Sequence, residues 1–205
     1  MYNYGTKALL KHHTGDKNKA LQYADMIPPA EDLYVHVLDG SQLAEHCQNY
    51  FWKVCDHMYL YMKYLLDCSD SGYTCEEKHA MWNTLYEIFH MIFPNQDFGF
   101  WDDRLARISF FMALESSKAG HPEDAIKELG QMTAHMESYR NFTEISHSSP
   151  LVNRLKINRT NIARSSEETL GQTYLRYINT HKDSIFMSVK EDCRFIDITE
   201  RLAAL

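Results

Sequence analysis

Ala113-Leu-Glu-Ser-Ser-Lys-Ala-Gly120-His-Pro-Glu-Asp-Ala125-Ile126 decides the fold. A helical pattern stops at a glycine, and two residues later a proline followed by two acids opens the next helix. Glycine takes the left-handed backbone that closes a helix, proline suits the first helical turn, and acids suit the positive end of the helix dipole. The same arrangement stands near the start, in Ala8-Leu-Leu-Lys-His-His-Thr-Gly15-Asp-Lys-Asn-Lys-Ala20-Leu21. In both stretches an alanine lies seven residues before the glycine and another lies five after it, followed by an aliphatic residue. Small residues at those places let two antiparallel helices approach closely. The sequence therefore predicts two helical hairpins, the mark of a helical repeat.

Outward from these turns the pattern stays helical. The first hairpin runs from about Tyr4 to His13 and from Lys17 to Ile27, ahead of Pro28-Pro29. Asp39 to Leu66 reads as one long helix with Asp39 as its cap. Leu43, Cys47, Tyr50, Val54, Met58, Tyr61, Met62 and Leu65 recur along it at steps of three and four. Thr74-Cys-Glu-Glu77 has the capping-box spacing and opens a helix with Met81, Leu85, Ile88, Phe89 and Ile92 on one face, closed by Pro94. The next helix starts near Phe98–Phe100 and reaches Lys118, and the one after Pro122 runs to about Tyr139. Ser146 to Pro150 reads as a loop. Leu151 to Ile162 is ambiguous in period and is read as helical. Ser165-Ser-Glu-Glu168 caps a helix to about Asn179, and Asp192 to Leu205 forms the last. No segment alternates as a strand does. The expected fold is all-α, an array of antiparallel helix pairs in one domain over 1–205: a partial repeat at 1–38, central pairs at 39–140 and C-terminal helices at 141–205.

Composition narrows the function. Acidic residues outnumber basic ones 28 to 21, so the chain lacks the excess of Lys and Arg that DNA binding draws on. The run Arg154, Lys156, Arg159 and Arg164 is read as a solvated face. Five cysteines, an odd number without C-x-x-C, argue against a disulfide framework or a zinc ribbon. The start has no apolar leader segment, and no run of about 18 apolar residues occurs, so no membrane partner and a reducing cytoplasmic location are expected.

Chemical motifs are sparse. Glu76–His79 and Glu87–His90 have the E-x-x-H spacing of di-iron bundles, but such a site needs the motifs on two facing helices, and here both fall on one. No metal or other cofactor is expected. Cys55 and His57 point in different directions on a helix, and no G-x-S-x-G, phosphate-binding glycine loop or H-E-x-x-H occurs. The chain is expected not to be an enzyme.

Gly120 through Ile126 resembles the turn and second helix of a tetratricopeptide repeat. A closer resemblance runs through Asp97-Phe-Gly-Phe-Trp-Asp-Asp-Arg104-Leu-Ala-Arg107-Ile, Ser149-Pro-Leu-Val-Asn153-Arg-Leu, Asp192-Cys-Arg194-Phe195-x-x-Ile and Lys19-Ala-Leu-Gln-Tyr-Ala-Asp-Met-Ile-Pro28. These look like the C-terminal helical region of Firmicutes Xre-type helix-turn-helix transcriptional regulators. The resemblance implies a TPR-like α-solenoid that senses a short peptide, binds a protein, or forms a homodimer. DNA would then be reached only through a helix-turn-helix module, for which there is no room before Tyr4. A stand-alone TPR-like adaptor is the alternative. By the same likeness, Arg107, Phe110, Leu114 and Lys118 look into a groove, beside Trp101, Arg104 and Asn153. Leu105, Ile108 and Met112 on the opposite face supply the core.

Overall fold

The helices before Gly15 and Gly120 end in the same way. Both glycines have φ near +82°. The N–H of Asp16 bonds the carbonyl of Lys11 and that of Gly15 the carbonyl of His12; His121 and Gly120 do the same to Ser116 and Ser117. Each is a Schellman closure, which needs a left-handed residue and therefore selects glycine. The four alanines that frame the turns, Ala8, Ala20, Ala113 and Ala125, are all fully buried.

The computed structural model describes residues 4–24, 34–67, 72–158 and 170–205. In chain order these form α1 (Tyr4–His13), α2 (Lys17–Ala24), α3 (Tyr34–Val37), α4 (Gly40–Asp67), α5 (Cys75–Ile92), α6 (Trp101–Lys118), α7 (Pro122–Asn141), β1 (Glu144–Ser146), β2 (Lys156–Asn158), α8 (Leu170–His181) and α9 (Cys193–Ala203). The fold is mostly helical, in keeping with the all-α class. Thr74 and Glu77 form the full capping box of α5, Pro122 occupies the first turn of α7, and Asp192 caps α9. The expected cap at Ser165–Glu168, the end of the second helix at Ile27, and Arg159 and Arg164 lie outside the described residues.

One expectation of secondary structure fails. Residues 156–158 are not helical but pair antiparallel with 144–146, Ile145 opposite Ile157. The segment between them is held by tertiary bonds rather than by its own period. The Gln48 side chain of α4 donates to the Pro150 carbonyl (2.9 Å) and accepts from the Arg154 N–H (2.7 Å). Val152 and Leu155 enter the core, and Asp97 takes the Ser148 N–H. Gly99, at φ +57°, passes so close to Ile145 of β1 that a Cβ would lie 2.5 Å from its side chain.

Helix α6 is the axis of the packing. Trp101, Leu105, Ile108 and Met112 join α4 and α5 in one core, together with Val152 and Leu155. Ala106, Phe110, Ala113 and Leu114 join α7, α8, α9, Phe186 and Val189 in a second. The α1–α2 pair buries Ala8 and Ala20 with Val37 in a small third core.

Candidate functional site

The expected groove face of α6 is largely closed. Trp101 is fully buried, its ring 4.5 Å from that of Trp52 and 5.2 Å from Phe89, so it is a core residue and not part of a docking surface. Phe110 and Leu114 are buried too. Phe110 lies 5.8 Å from the Tyr174 ring and 5.9 Å from Tyr177, both on α8. The physical reason is that α6 carries apolar residues toward two cores on opposite sides, so other elements enclose it on both. Asn153 sits on the β1–β2 connection, where its Oδ1 accepts from Gln48 at 3.0 Å. Lys118 is exposed at the end of α6 and pairs with Glu115 at 2.6 Å.

Toward the start of that face, Arg104 and Arg107 keep access to solvent, with 22% and 37% of their side chains exposed. They share the buried carboxylate of Asp103, at 2.6 Å and 3.3 Å, and Arg104 also bonds Asp56 of α4 at 3.1 Å. The Arg104 guanidinium lies 5.2 Å from the ring centres of Tyr59 and Phe100. Burial works against the charge on Arg107, but Tyr174, Asp103 and Tyr59 together raise its pKa above the ordinary arginine value. The Tyr59 and Tyr174 hydroxyls beside it are sealed from solvent; Tyr59 has Arg107 as its neighbouring donor, and Tyr174 finds no hydrogen-bond partner among the described residues. Burial pushes the Tyr59 phenol up to about 12 and raises Tyr174 well above the usual value. Both are donors at neutral pH, next to a fixed cation.

A second polar arrangement joins α5 to α7. His79 Nε2 meets Glu128 Oε1 at 2.5 Å, and Ser116 of α6 donates to the other oxygen of Glu128 at 2.8 Å. Seven residues further along both helices, the Tyr86 hydroxyl meets His135 Nε2 at 2.9 Å. His135 Nδ1 meets Asp102 at 2.8 Å, and Ser138 donates to the second Asp102 oxygen at 2.8 Å. A carboxylate only accepts, so in neutral His135 Nδ1 carries the proton and Nε2 accepts from Tyr86. Burial, helped by Glu87 and Asp102, pushes Tyr86 up to about 12. A cleft of about 250 Å³ opens between the two rungs, with Met112 as a lining residue and Asn83, Glu87, Asp124 and Lys127 around it.

The E-x-x-H histidines do share one helix, α5, as the spacing implies. Their partners were not legible. His79 turns to Glu128 on another helix, and His90 Nδ1 bonds the Tyr86 carbonyl at 3.0 Å. The described residues contain no group of three or more His, Cys, Asp or Glu placed to hold a metal ion. None of the described helices is long and apolar enough to cross a membrane. Comparison of the chain with family models, with curated proteins and with solved structures finds no match.

Proposed function

We propose that the chain is a non-enzymatic interaction domain that takes an acidic segment of a protein or short peptide against Arg104 and Arg107. The observation that carries this reading is the trio of Arg107, Tyr59 and Tyr174, a partly exposed guanidinium beside two buried tyrosines, of which Tyr174 finds no hydrogen-bond partner among the described residues. An unmade hydrogen bond on a buried donor costs about 1–3 kcal/mol, and a carboxylate that reached the pair would recover part of it. Arg with Tyr is also the composition of interface hot spots. In this reading the helix pairs form a TPR-like array, and the chain is the sensor or oligomerisation region of an Xre-type regulator. The stand-alone adaptor is the alternative, and a helix-turn-helix encoded upstream of Met1 distinguishes the two.

The Tyr86–His135–Asp102 chain supports a tie between helices rather than a catalytic relay. Its tyrosine holds its proton at neutral pH, and its imidazole, with 11% of the side chain exposed, already has a partner on each nitrogen.

The test is a random short-peptide library panned on the folded chain and on Arg107→Glu. Binders enriched in Asp and Glu, and weakened at least about tenfold in the variant, are expected, since charge reversal at a paired site costs more than 1.4 kcal/mol. Binders without acidic enrichment, or indifferent to the substitution, refute the reading.

A further inference from the structure

We infer that the outer face of α4 is a seam that pairs with the α4 of a second copy of this chain. The inference uses a different surface from Arg107 and stands independently of it. Cys47, Tyr50, Val54, His57, Tyr61 and Tyr64 follow one another at alternating steps of three and four. That is a repeat of 3.5, the period of two helices wound along each other. All six are exposed, Tyr50 by 53%, Tyr61 by 70% and Tyr64 by 61%. The opposite side of α4 is already in use: Gln48, Cys55, Tyr59 and Leu66 are buried against the body of the molecule. The helix is therefore apolar on two opposed faces, and only one has a partner among the described residues.

Size and chemistry point to a second copy. From Cys47 to Tyr64 the seam spans about 26 Å of helix. Its three tyrosines, with Val54 and Leu65, present roughly 500 Å² of side chain per copy. A two-fold contact places the same patch on both sides and buries both at once, which brings the total to about 1,000 Å², the lower bound of a specific interface. The positions that border the seam are mixed: Ala44, Phe51, Met58, Leu60 and Leu65 are apolar, His46, Lys53 and Lys63 are basic, and Asp56 is acidic. The apolar patch itself, rather than its border, is what a second copy would cover. The ring of His57 packs edge-on against Tyr61 at 6.2 Å, so neighbouring side chains on the face are in contact with one another.

The experiment is light scattering on the full chain over a concentration series, with the double variant Tyr50→Glu/Tyr61→Glu. A wild-type dimer and a monomeric variant of unchanged helix content are expected. Cys47 should be alkylated several-fold more slowly in the wild type than in the variant. If the double variant loses helix, Val54→Lys carries the same test through one substitution. A dimer that survives the charged substitutions overturns the inference, as does a wild type that stays monomeric. A monomer with Cys47 protected also overturns it, because another segment of the same chain then covers the seam.

Discussion

Helices α4 and α6 look alike in sequence and differ in fate. Both carry apolar residues at steps of three and four over several turns. On α6 those residues point to both sides, and both sides meet other elements, so Trp101, Leu105, Ile108, Phe110, Met112 and Leu114 are all buried. On α4 the residues that mark the helix most clearly, Cys47, Tyr50, Val54, Tyr61 and Leu65, face outward. The residues that anchor it, Gln48, Cys55 and Tyr59, include a polar side chain and a tyrosine. Periodicity reports that a helix has an apolar face. Which face becomes core depends on what the rest of the chain brings to it.

The largest expected contrast tests this directly. Trp101→Ala removes a fully buried ring from the junction of α4, α5 and α6 and should cost about 3–5 kcal/mol in urea melts. Tyr61→Ala, at an equally periodic position on the outer face of α4, should change the stability of one molecule by less than about 0.5 kcal/mol. Comparable losses at the two sites would erase the distinction between the helices.

A smaller effect concerns the polar side of α6. Asp102→Ala leaves the His135 Nδ1 and the Ser138 hydroxyl without their acceptor, and a loss of about 1–3 kcal/mol is expected in the same melts. A neutral result would mean that the carboxylate offsets its own burial and no more.

The smallest effect is a slope with pH. His147, which packs between Phe93 and Trp52, has its pKa lowered from 6.5 by burial, against the upward pull of Asp97. The unfolded chain then binds more protons than the folded one below about pH 6.5, so stability rises with pH through that window and is lost as pH falls. The melting temperature should drop between pH 7 and pH 5, and His147→Asn, which keeps a donor for the Asp97 carbonyl, should flatten that drop. An unchanged slope in the variant would assign the acid sensitivity elsewhere.

Local signals read correctly where their physics is local. Gly15, Gly120, the Thr74 capping box, Pro122 and Asp192 each act within a few residues, and all stand where the sequence put them. The β1–β2 pair has three residues a side, too few to show a period, and its partners lie ten to fourteen positions apart. Of the candidate site, Arg104 and Arg107 were legible as charge on a helical face. Tyr59, Tyr174, Glu128 and Asp102 were not, because each acquires its role from a helix remote in sequence. Trp101 was misplaced because hydrophobic spacing cannot count the neighbours on each side.

The two rungs between α5 and α7 have a mechanical consequence. His79 with Glu128 and Tyr86 with His135 have the same separation along the chain, 49 residues. They act as two bolts through parallel bars. Sliding α7 by one helical turn shears both bolts together, and it brings Asp124 opposite His79 and Gln131 opposite Tyr86, each able to accept a hydrogen bond. The rungs therefore favour whole-turn registers of α7 against α5 over the positions between them.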